Sequence, residues 1–167
     1  RRVAVAGPGT AKKEFIARLP KPLAEAVTVV EDAEFTADDE LVRRFTALMA
    51  DEEAKESAAW VRALRRELVA GDLATTGALE CAREAAAGRV ERLVVLRGAA
   101  LPGAKCELHQ QAFPRSETCA CGAAGAQVDL VNEAVESTLK AGGWAEFVEP
   151  PQPFLEGVGG VGALLRW

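Results

Sequence analysis

The chain has 167 residues, of which 49% are hydrophobic, and a net charge of −5 at neutral pH; this suits one ordinary domain, or one and a half small ones, with a real core. The acidic balance argues against a broad electrostatic footprint for nucleic acid and against DNA, leaving room for a local basic patch. No apolar run approaches the roughly 20 residues of a membrane span and no signal-peptide pattern opens the chain, so no membrane is expected.

Cysteine is sparse, with four in all, and three of them are clustered, which favours a reducing, cytoplasmic compartment over a disulfide framework. Abundant Ala, Arg, Gly and Val without Tyr suggests a GC-rich bacterial genome. The first residue is Arg1, not Met, and it leads straight into an apolar run, so the chain is expected to start inside a longer protein.

Val3 to Ala6 reads as a short buried strand closed by Gly7-Pro8-Gly9. A helix with Phe15, Ile16 and Leu19 as its apolar side should follow, stopped by Pro20 and Pro22. GPGTAKK admits two readings: a tight strand-to-helix turn, or an anion or RNA backbone contact through Lys12 and Lys13. It matches neither the Walker pattern nor a dinucleotide fingerprint. Val27 to Val30 is a second β-branched strand, and Thr36 with Asp39 resembles a capping box.

One long helix, or two, is expected from about Asp38 to Val69. Leu41, Phe45 and Leu48 form one apolar stripe; Trp60 or Val61, with Leu64 and Leu68, forms another. Between them Asp51 to Glu56 breaks the stripe with charges that suit a solvated helix face, or an acidic face for a partner. Gly71-Asp72 marks a boundary.

Leu73 to Ala87 is expected to be helical, with Leu79, Ala82 and Ala86 as a small-residue face, Cys81 buried and Gly88 as C-cap. Arg92 to Leu96 reads as a strand buried on both sides. Val128 to Ala141 should be a helix ended by Gly142-Gly143, and Trp144 to Val148 alternates as a strand. Pro150 to Pro153 reads as a stiff connector, and the glycines from 157 to 162 as a bent loop feeding a terminal strand over Ala163 to Trp167. The second unit is then a small α/β sandwich with a mixed sheet.

Between strand and helix lies CELHQQAFPRSETCACG, from Cys106 to Gly122, with the only histidine of the chain. Cys106 and His109 form a C-x-x-H pair, and Cys119 with Cys121 a C-x-C pair. Two short-spaced pairs joined by a loop present four donors to a tetrahedral zinc ion, and thiolates with a neutral imidazole are ligands that zinc accepts. Gly122 suits a turn that points backbone amides towards sulfur. The competing readings are a plain surface loop and a redox or disulfide pair. A catalytic zinc fits less well: all four donors would be used, leaving no position for water, and only Glu107 and Glu117 lie near as bases.

Four segments together resemble the archaeo-eukaryotic class-one release factor family, which includes Pelota, and most closely its bacterial relatives. AGPGTAKKEF (Ala6 to Phe15) is similar to a strand-turn-helix of the family's second domain. TGALECAREAAAGRVERLVVL (Thr76 to Leu96) is similar to the opening helix and strand of the third. The Cys106 to Gly122 loop resembles its zinc minidomain, with His109 where cysteine is usual and C-x-C where C-x-x-C is usual. GGVGALLRW (Gly159 to Trp167) resembles the closing strand.

The resemblance implies that residues 1–70 are the C-terminal half of an RNase H-like second domain with a long connecting helix. Residues 71–167 would be the third domain, an α/β/α sandwich similar to kink-turn-binding ribosomal proteins, with the Cys/His loop inserted at 104–125. It further implies a ribosome-bound release or rescue factor that contacts rRNA or tRNA and a translational GTPase. Arg166 admits two readings, a surface residue on the terminal strand or an RNA contact. The family's Gly-Gly-Gln loop is not in this chain, whose Gly-Gly pairs precede Trp144 and Val161; a non-catalytic fragment is therefore expected. Alternatives are the accessory part of a peptidyl-tRNA hydrolase or nuclease, and a protein-interaction module built on the same fold.

Overall fold

A computed structural model describes residues 3–32, 38–71 and 73–167, of which the side chains at 28–30, 32 and 38 are excluded. Thr36 and Asp72, named above in a cap and a boundary, lie outside the described residues. The chain divides into two compact units, Arg1–Lys55 and Glu56–Trp167.

In the first unit, β1 (Val3–Gly7) pairs in parallel with β2 (Val27–Asp32), Val5 opposite Val30. The connection holds α1 (Ala11–Arg18) and a single turn, α2 (Lys21–Ala24). Pro20 ends the first helix and Pro22 is tolerated at the start of the second, where its missing N–H is not needed. The expected apolar side of α1 is not the buried one: Phe15 is 56% exposed, whereas Lys12 is buried.

α3 (Asp38–Ala70) is one helix of 33 residues and runs unbroken through the charged stretch. There Lys55 reaches Asp51 at 2.7 Å and Glu52 at 2.8 Å, pairs a turn apart on an exposed face. Its last turns belong to the second unit.

The second unit is built on a four-stranded mixed sheet in which β3 (Ala74–Thr76), β9 (Val161–Leu165), β4 (Val90–Leu96) and β8 (Trp144–Val148) follow in that order. β4 (Val90–Leu96) is its centre, parallel to β8 (Trp144–Val148) and antiparallel to β9 (Val161–Leu165). Alternation sends Leu93 and Val95 to one face and Val94 to the other, and both faces are covered. On the first, α4 (Ala78–Ala86) and α5 (Leu130–Lys140) pack with Cys81, Ala82, Ala85, Leu130 and Ala134 buried. On the second, Val61 and Leu64 of α3 meet Val94, Val148 and Leu155, the last from α6 (Pro153–Gly157).

Three expectations change. Residues 73–87 are not one helix: β3 (Ala74–Thr76) pairs antiparallel with β9, and only after Gly77, at φ +87, does α4 begin. Its buried face is Ala78, Cys81, Ala82 and Ala85, so Ala86 is exposed. The proline connector ends in a helix, because Pro153 sits where a first helical turn accepts proline and Leu155 drives its burial. The closing strand is Val161–Leu165, starting earlier than Ala163 because Gly162 packs under Leu64.

Candidate metal centre

The region between β4 and α5 is not a plain loop. β5 (Pro102–Lys105), β6 (Ala112–Pro114) and β7 (Ala126–Asp129) form a three-stranded antiparallel sheet, β5 in the middle. Ala104, Phe113, Cys106 and Cys119 make a small core of their own. β7 takes the first two residues expected of the helix, and Asp129 ends it as the N-cap of α5. Asp129 Oδ1 accepts from the Val131 amide at 3.0 Å and from the Leu101 amide at 2.9 Å, tying both ends of the small sheet to the helix. Lys105 adds an ion pair to Glu133 at 2.6 Å, largely shielded from solvent.

Cys106 follows β5 directly. Its amide donates to the Gln111 carbonyl, and its own carbonyl accepts from the Gln110 amide at 2.8 Å. Gln110 takes φ +54, a left-handed conformation that closes the turn. The turn folds His109 back, so that its amide donates to Cys106 Sγ at 3.4 Å. The second turn is closed at 2.7 Å from the Gly122 amide to the Cys119 carbonyl, with Gly122 at φ +81. Gly122 thus closes this turn through a carbonyl, and the amides that point towards sulfur are those of His109 in the first turn and Cys121 in the second, as expected.

The two turns bring Cys106, His109, Cys119 and Cys121 together, all four donor atoms within 4.8 Å of one another. Cys106 Sγ lies 3.7 Å from Cys121 Sγ and 3.7 Å from His109 Nδ1, and Nδ1 lies 3.1 Å from Cys119 Sγ. Zinc–sulfur bonds of about 2.3 Å at the tetrahedral angle separate two sulfurs by about 3.8 Å, so the 3.7 Å between Cys106 and Cys121 fits a four-coordinate ion. Cys106 and Cys119 are buried, at 1% and 6% exposure, while His109 and Cys121 face solvent.

The electrostatics differ between the two buried thiols. The His109 amide aimed at its sulfur holds the Cys106 thiol low, at about 6. The Cys121 amide pulls Cys119 the same way, but burial and the adjacent thiols outweigh it and leave Cys119 raised. A cation at the centre of four such donors would relieve that crowding. Cys81 stands apart: burial, with Glu80 and Glu84 beside it, pushes its thiol up to about 12.

The other expected contacts are not brought to this cluster. Lys12 is buried, Lys13 is exposed, and the α1 amides of Ala11 and Lys13 already donate to the Pro8 and Thr10 carbonyls. Next to them a cavity of about 570 Å³ lies between β1 and α1, lined by Val3, Val5, Lys12, Phe15 and Leu19 among others, so that its walls are mostly apolar. Arg166 is half-buried and donates to the Ala141 carbonyl at 3.1 Å, capping the negative end of α5. Asp129, Lys105 and Glu133 were missed in the sequence. A D-L-V-N-E start with Asp at N-cap was the available signal for the first; nothing in the sequence pairs the other two.

No protein-family model and no curated protein sequence matches the chain. Solved structures do. The C-terminal domain of a peptide chain release factor from Methanosarcina mazei aligns over 80% of this chain and 98% of its own, at 21% identity and TM-score 0.58. Archaeal Pelota, in a ribosome-bound model with ABCE1, aligns over 99% of this chain at 22% identity and TM-score 0.59. Dom34 from S. cerevisiae, described as a translation termination-like factor interacting with Hbs1, aligns over 99% at 12% identity and TM-score 0.60. This chain spans 43% of that Pelota and 46% of Dom34. The likeness is one of fold: the chain has the fold of release-factor and Pelota C-terminal regions, as the four sequence segments led one to expect.

Proposed function

We propose that this chain is the C-terminal part of a release-factor or Pelota-type ribosome-rescue protein. It binds the ribosome, through rRNA or tRNA, and a translational GTPase, and it works in the cytoplasm. The single observation that carries this reading is the alignment of nearly the whole chain, long helix included, with ribosome-bound Pelota. Among the described residues no helix is long and apolar enough to cross a membrane, which is compatible with that setting. In this reading residues 1–70 complete an RNase H-like domain and residues 71–167 form the third domain, related to kink-turn-binding ribosomal proteins. The chain binds and positions rather than cleaves.

Cys106, His109, Cys119 and Cys121 hold a zinc ion in this account. With four protein donors the ion is structural: it pins the two turns of the small sheet and keeps no position for a reacting water. A direct binding titration of the chain against purified ribosomes tests the ribosome reading, and metal analysis by mass spectrometry tests the zinc. Saturable ribosome binding with one equivalent of zinc is expected; a chain that binds neither would leave only the fold.

A further inference from the structure

A second constellation lies on the α3 side of the mixed sheet, away from the cysteines. The Arg92 guanidinium stacks on the Trp60 ring, 3.5 Å from its centroid. One strand over, Trp144 stands opposite Arg92 in the β4–β8 register and shares its face. Trp144 is 68% exposed, at the start of an edge strand whose outer side is unpaired among the described residues. Arg89 and Arg97 are each paired with a carboxylate, Glu84 and Glu149; Arg92 has none among the described residues, and the Trp60 ring is the contact that holds it. The one carboxylate two residues on from Trp144, Glu146, is engaged by the Ser57 hydroxyl at 2.8 Å.

We propose that Trp60, Arg92 and Trp144 form a stacking platform for an unpaired RNA base. The exposed indole offers a flat π-face, which every base can use. Arg92, stacked on Trp60, would donate its N–H groups to a base or phosphate oxygen. Its positive charge complements the RNA backbone. A protein hot spot would instead set the indole in an apolar pocket, whereas here its same-face neighbours in register are Arg92 and Glu146. The platform deepens the ribosome reading, since it names where a strand would be held, and it rests on that reading for its biological partner.

The test is a titration of the whole chain with an unstructured single-stranded RNA of about a dozen nucleotides, a length within the usual range for such sites. Tryptophan fluorescence and anisotropy are followed together at low salt. Quenching on binding is expected, with affinity at least about tenfold weaker in Trp144→Ala and largely kept in Trp144→Phe. Arg92→Gln should weaken binding and flatten its salt dependence. Trp144 is exposed, so its variants should melt with the wild type. Absence of quenching in the wild type, or a Trp144→Ala chain that binds as tightly, overturns the platform. Wild-type ribosome binding that persists unchanged in Trp144→Ala would sink the platform alone and leave the ribosome reading standing.

Discussion

Residue by residue, the cysteine region shows how backbone geometry prepares a donor set. The His109 amide points at Cys106 and favours its thiolate, while the Cys121 amide points at Cys119, where burial and the neighbouring thiols outweigh it. Binding energy at such a site is folding energy for the sheet around it. Cys119→Ser and Cys121→Ser should therefore lose zinc and melting temperature together; variants that keep both would refute the metal assignment. Cys81 should behave oppositely. Its thiol stays protonated at neutral pH and is fully buried, so alkylation followed by mass spectrometry should leave it untouched until the protein unfolds. Cys121, the exposed donor, should be labelled first once a chelator is added. Asp129 holds two amides from different elements, so Asp129→Ala should lower stability by about 1–2 kcal/mol in urea melts.

Elements differ in how plainly the sequence announced them. Long periodic patterns were readable: α3 by its spaced Val61, Leu64 and Leu68, and β4 by a continuous apolar run that both faces of a buried central strand require. Short strands were not. Ala74–Thr76 is only three residues and merges into the following helical pattern, while β5 and β6 carry proline, glycine or lysine that mimic a loop and β7 is only four residues long. Their pairing is enforced by contacts distant in sequence, such as Ala104 opposite Gln127 in the β5–β7 register, which no local period reports. The metal donors were legible because their spacing is local; Lys105 with Glu133, 28 residues apart, was not. The packing of α3 on the sheet leaves its own test. A Cβ added at Gly162 would lie 2.4 Å from Leu64 Cδ2, and Leu64 is fully buried. Gly162→Ala should destabilise the second unit by about 1–3 kcal/mol, read from its denaturation midpoint.

At the scale of the whole molecule, an acidic chain is proposed to meet an RNA-rich particle. With a net charge of −5, binding must come from local groups such as Arg92 rather than from a global field. That makes salt dependence informative: a few phosphate contacts give a shallow but definite slope, whereas contact through protein alone gives nearly none. The most direct measurement is ribosome co-sedimentation of the chain across a salt series. The account predicts pelleting at low salt that declines as salt rises. A chain that stays in the supernatant at every salt concentration would contradict it, leaving a release-factor fold employed elsewhere.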